Sequence, residues 1–122
     1  MRGGLTYTVN LDWRYTAPNK YFNIDWSVNV PTGNTSNVRF YIANDSMVSG
    51  GDVNDTGYSG SAPSRTVGVY DSVANQTSAI RYISGLPWTA EQANGWNTVR
   101  TQITGGANFT NAIQTTSGDL GF

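Results

Sequence analysis

The chain of 122 residues contains no cysteine and no histidine. Without cysteine it has no disulfide, no thiolate nucleophile and no thiolate metal site. Without histidine it loses the Ser-His-Asp triad, imidazole acid/base chemistry and ordinary zinc coordination. An enzyme built on this chain would have to work with carboxylates, and the sequence reads as that of a non-enzyme. Charge is scarce too. Charged residues make up 12% of the chain, about half the usual share. Lys20 is the only lysine and Glu91 the only glutamate, so long amphipathic surface helices are not expected to dominate. The basic residues Arg2, Arg14, Lys20, Arg39, Arg65, Arg81 and Arg100 are scattered, and the net charge is −1. That pattern excludes the basic footprint of nucleic-acid binding. No stretch approaches the ~20 apolar residues of a membrane-spanning helix.

What fills the chain instead is Ser, Thr, Asn and Gly, with 14 glycines and 38% apolar residues. The length predicts one domain, with residues 1–4 as leader and 5–122 as the folded part. A domain of this size without disulfides is held by core packing alone. Bacterial outer-surface domains are often built this way, so the composition predicts an extracellular or cell-surface location.

The clearest pattern is an alternation of period two. Leu5, Tyr7, Val9, Leu11, Trp13 and Tyr15 are apolar, and Thr6, Thr8, Asn10, Asp12 and Arg14 stand between them. Phe22, Ile24, Trp26, Val28 and Val30 repeat the pattern after the turn residues Thr16 to Lys20. Pairing Tyr15 with Phe22 sets Trp13 against Ile24, Leu11 against Trp26 and Val9 against Val28, so every apolar residue meets an apolar one. A slip by one residue would set each apolar row against a polar one. This predicts a hairpin whose apolar face, Trp13 and Trp26 included, is core.

Further strands are expected over Val38–Ile42, Thr66–Tyr70 and Ala79–Ile83, with a long polar loop from Asn44 to Ser64. Loops of that length inside a compact domain are commonly functional. Thr89 with Gln92 three residues on forms a capping-box pattern, and Ala93, Trp96, Val99 and Ile103 follow at helical spacing. A helix opening at Thr89 and stopping at Gly105–Gly106 is therefore predicted. Leu120 to Phe122 reads as the start of a last strand that is cut short. The fold class is mainly β: an antiparallel β-sandwich with one short C-terminal helix.

Three groups of residues carry candidate chemistry. Asp12 and Asp25 face each other across the hairpin, but Arg14 on the same face neutralises them. Asp52, Asn54 and Asp55 place oxygen ligands before Gly57, with Asp45 upstream, in the manner of the first half of a calcium loop. These four are the candidate metal ligands, and calcium is the one candidate cofactor. The glutamate that would close such a loop is replaced by Pro63. Trp88, on a turn after Pro87, heads a candidate ligand-binding set with Tyr41 and Tyr58. Aromatic faces rimmed by Asn and Asp would stack on sugar rings, which points to a glycan. Open sheet edges would accept strands from neighbouring copies, as in a self-assembling filament or a virion structural subunit. The expected partners are thus a glycan or protein on a surface, or other copies of the chain.

The runs Tyr21–Pro31, Val38–Asp45 and Thr66–Asp71 together resemble a β-sandwich module of large secreted bacterial surface proteins of adhesin type. The resemblance implies a cell-surface module, often one of many in a chain, acting in adhesion or surface assembly. It implies no catalytic residues. It also implies a final strand beyond the position of Phe122.

Overall fold

The computed structural model describes residues 4–51, 55–60 and 65–122. The chain divides into two compact units, Met1–Arg39 and Phe40–Phe122. Among the described residues it is mainly β, with antiparallel sheets and one helix.

The first unit is built on β1 (Thr8–Tyr15) and β2 (Phe22–Asn29), an antiparallel two-stranded sheet. The register is the one the alternation predicts: Tyr15 opposes Phe22, Trp13 opposes Ile24, Leu11 opposes Trp26 and Val9 opposes Val28. The Trp13 and Phe22 rings stack at 4.9 Å. Beyond the strands, the Tyr7 hydroxyl donates to Asn34 Oδ1 at 2.7 Å.

The burial of this unit departs from the expectation. None of its described residues is buried. Trp13 is 58% exposed, and Trp26 is only half-buried. Alternation makes one face apolar, but a two-stranded ribbon has no second layer of its own to set against that face.

The second unit carries a three-stranded antiparallel sheet in the order β3-β4-β5: β3 (Asp55–Gly60), β4 (Thr66–Asp71) and β5 (Gln76–Arg81). β4 matches the predicted strand. β5 starts earlier than expected, because the connection is a tight turn over residues 72–75 rather than a loop. Asp71 Oδ1 accepts from the backbone N–H groups of Val73 and Ala74, which folds that turn. Asn75 supplies the left-handed residue at φ 54°.

β3 lies inside what reads as a long loop. Its sequence, Asp-Thr-Gly-Tyr-Ser-Gly, has no apolar alternation. It is a strand because its full length pairs with β4 and because Gly57 N–H also donates to Gln114 O at 2.7 Å. The strand expected over Val38–Ile42 is not formed. Those residues lie outside every strand among the described residues, with Val38 and Phe40 more than 40% exposed. So short a run becomes a strand only where a neighbouring strand accepts it.

The helix α1 (Trp96–Gly105) begins well after Thr89. Its N-cap is Gly95, with no side-chain cap. Gln92 does not close a capping box. It is 1% exposed; its Oε1 accepts from the Thr110 N–H and hydroxyl, and its Nε2 donates to Gln102 Oε1. Tertiary partners have claimed the side chain that the local motif needs. The helix ends as predicted, with Gly106 left-handed at φ 66° and its N–H turned back to the last carbonyls.

Two short strands, β6 (Asn94–Gly95) and β7 (Leu120–Gly121), pair antiparallel just before α1. Leu120 is fully buried and Phe122 is 3% exposed, so this last segment belongs to the core. The core consists of Val48, Val67, Val69, Ala93, Leu120 and Phe122, with Ile80, Trp88 and Ile113 packed against it. Each fully buried side chain of Val or Leu size contributes about 1.5–3 kcal/mol.

Candidate functional site

Three places on the molecule gather the residues with candidate chemistry. The first is the hairpin. On one face Val9, Leu11, Trp13, Tyr15 and Phe22 are 43%, 44%, 58%, 63% and 52% exposed. The other face is polar. There Asp12 opposes Asp25 as the register requires, and Arg14 stands between them. Its guanidinium hydrogen-bonds Asp25 and lies 3.8 Å from Asp12 Oδ2. All three side chains are well exposed. The carboxylates therefore share one cation on an exposed face. Solvated pairs of this kind contribute about 0–1 kcal/mol.

The second place is the outward face of the β3-β4-β5 sheet. Period-two alternation sends Val67, Val69 and Asp71 to the core side and leaves Gly68 and Tyr70 on the other. Across the strands, Thr56, Tyr70 and Thr77 form one row, and Tyr58, Gly68 and Ala79 the next. Thr56, Tyr58, Tyr70 and Thr77 line a shallow depression of about 280 Å³. Two bonds hold it in shape: Thr56 Oγ1 donates to the Tyr70 carbonyl at 3.1 Å, and the Tyr70 hydroxyl donates to Asn75 Oδ1 at 3.2 Å. Partial burial pushes the Tyr58 phenol up from its ordinary value of 10.0.

The third place is the segment carrying Trp88. The sequence marks this tryptophan as an exposed turn residue, but it is half-buried and packed on the core. Arg65 Nη1 donates to its carbonyl at 2.5 Å, and the Tyr82 ring meets its ring edge-on at 6.5 Å. Arg65 also lies 3.6 Å from Glu91. A ring held this way serves the core before it serves a ligand.

The predicted aromatic set is therefore dispersed. Trp88 meets Tyr82. Tyr41 is half-buried, donates to the Ala107 carbonyl at 2.8 Å and packs edge-on against Phe109. Tyr58 stands beside Tyr70, a partner that sequence reading missed. The signal was Tyr70's outward parity in its strand, visible only once the partner strand is known.

Of the predicted calcium ligands, Asp52 and Asn54 lie outside the described residues. Asp45 forms an isolated bridge with Gly121 in the backbone. Asp55 is 1% exposed; the single Ser46 hydroxyl proton is shared between Asp55 Oδ2, at 3.0 Å, and the Leu120 carbonyl. Asp55 thus ties β3 to β7. Among the described residues no three acidic side chains converge, and no helix is long and apolar enough to cross a membrane.

No protein-family model, no curated protein and no solved structure matches this chain.

Proposed function

We propose that this protein is a non-enzymatic extracellular module of β-sandwich type that acts in adhesion or surface assembly, with the apolar face of the hairpin as its contact surface. One observation carries the reading. None of the first unit's described residues is buried, yet Val9, Leu11, Trp13, Tyr15 and Phe22 are all more than 40% exposed. A hairpin of this kind is marginal in water, and a contiguous apolar patch on a soluble protein marks a contact surface. The low charge and the absence of cysteine and histidine support the extracellular, non-catalytic part of the proposal. The test is display of the chain on a cell surface. Cells carrying it should clump or adhere, and the double variant Trp13→Ser/Phe22→Ser should lose the effect. Equal adhesion by the variant would refute the reading.

The tyrosine depression favours a second reading, glycan recognition. Two tyrosines and two threonines combine apolar ring faces with hydroxyls and include no charged side chain, a composition suited to a neutral sugar ring. Retention on a glycan array that disappears in Tyr58→Ala and Tyr70→Ala would support it. Retention unchanged in both would remove this site.

A further inference from the structure

We infer that Asn94 and Gly95 form a self-modifying pair: the Gly95 backbone nitrogen attacks the Asn94 side-chain amide, and Asn94 is converted to aspartate and isoaspartate. Every contact involved lies within the second unit, and water is the only co-reactant.

The first argument is sequence. Asn94 is the only asparagine in the chain followed by glycine. A glycine in that place has no Cβ to obstruct the approach of its nitrogen to the asparagine side chain.

The second argument is the hydrogen-bond ladder. β6 pairs with β7 by setting Asn94 opposite Gly121 and Gly95 opposite Leu120. The next N–H, that of Trp96, donates to the Asp119 carbonyl at 3.0 Å. Successive residues of a strand turn their N–H groups to opposite sides, so the Gly95 N–H points away from β7. It meets side-chain amides instead, Asn94 Oδ1 at 2.8 Å and Gln114 Oε1 at 3.3 Å. The Asn94 carboxamide is thus folded back over the nitrogen that attacks it. Holding the two groups together in this way removes part of the entropic barrier. Both residues are half-buried rather than sealed in the core.

The third argument is charge. Gly95 is the N-cap of α1 and gives no side-chain cap, and the first turn carries no acidic residue. The positive end of the helix therefore adjoins the pair and favours the negative charge that develops during the attack.

The Gly95 nitrogen loses its proton to solvent and bonds to Asn94 Cγ. The Cγ–Nδ2 bond breaks, and the amide takes a proton from water and leaves as ammonia. Water then opens the cyclic imide at either carbonyl. One opening gives aspartate. The other gives isoaspartate, whose backbone runs through the side chain and is longer by a methylene. That extra length falls inside β6 and shifts it against β7, where Leu120 is fully buried. Isoaspartate therefore loosens the hold of β6 on a core segment.

The test is peptide mapping by mass spectrometry of the full chain kept in mildly alkaline buffer. Asn94 should convert before any other asparagine, releasing ammonia and giving both isomers. The native chain should convert no more slowly than the same chain in guanidinium chloride. Gly95→Ala is the deciding variant. A Cβ at Gly95 meets nothing nearer than 3.9 Å, and the backbone there, φ −44° and ψ 128°, suits alanine. The fold stays, which far-UV circular dichroism checks, while the methyl group hinders the attack and should slow conversion at least tenfold. The isoaspartyl fraction, separated by ion exchange, should melt below the unmodified chain.

Asn94 intact while other asparagines convert, conversion confined to the denatured chain, or Gly95→Ala converting as fast as wild type would each overturn the inference. An isoaspartyl chain that melts with the unmodified one would overturn the loosening of β6.

Discussion

Gly57 and Gln114 bring their backbones into direct contact. The Gly57 N–H donates to the Gln114 carbonyl at 2.7 Å, and a Cβ on Gly57 would lie 2.8 Å from that same oxygen and 2.9 Å from the Ala93 Cβ. Gly57→Ala must therefore move backbone rather than a side-chain tip. A loss of about 1–3 kcal/mol is expected. Thermal unfolding should show it as a fall in Tm of several degrees; an unchanged Tm would mean that β3 and the 114 segment are not so close.

Gln92 gives a second prediction. Gln92→Ala leaves the Thr110 N–H and the Gln102 side chain without their partner in a buried place, at a cost of about 1–3 kcal/mol. Thr89→Ala, at an exposed residue well before the helix, should stay within about 0.5 kcal/mol. Urea unfolding of the two variants separates the tertiary role of Gln92 from the capping box that the sequence suggests. Equal losses in both would restore the capping box.

The Tyr58 phenol sets an alkaline limit. Its pKa is raised in the folded state because burial disfavours the phenolate. The unfolded chain gives up that proton near pH 10 while the folded chain keeps it. The stabilisation is therefore complete below pH 10 and is lost as pH rises through the folded pKa. Tyr58→Phe should flatten the fall in Tm above pH 10 and leave Tm at neutral pH nearly unchanged. Parallel curves for the two proteins would count against this account.

Arg14 and its two aspartates should matter little to stability. Arg14→Ala is expected to change unfolding free energy by less than about 1 kcal/mol, and the difference should shrink in 1 M salt. Guanidinium-free urea melts at two salt concentrations would show it. A large, salt-independent loss would mean that this face is desolvated in solution, as by a partner lying on it.

The hairpin was legible residue by residue. Its register follows from two neighbouring alternating runs joined by a short turn, and a slip by one residue would have mismatched every pair. β4 and the helix stop at Gly105–Gly106 were legible for the same local reasons. β3 was not, because Asp55–Gly60 has neither alternation nor β-branched enrichment beyond Thr56, and only pairing with β4 makes it a strand. The helix start was misread because a four-residue motif says nothing of Gln102 and Thr110, which lie close to Gln92 only in the fold. The aromatic set failed likewise: Trp88 follows a proline on a turn, yet Arg65 and the core hold it.

The sequence alone determined what depends on near neighbours: strand alternation, hairpin register, the glycine helix stop, and the chemistry excluded by having no cysteine or histidine. The tertiary structure decided what depends on distant ones. It placed Leu120 and Phe122 in the core, made a glycine-rich segment a strand, paired Tyr58 with Tyr70, and left Trp13 and Phe22 of the hairpin more than half exposed. The physical reason is that alternation marks which face of a strand is apolar, whereas burial requires a second surface, and no local pattern encodes where that surface comes from.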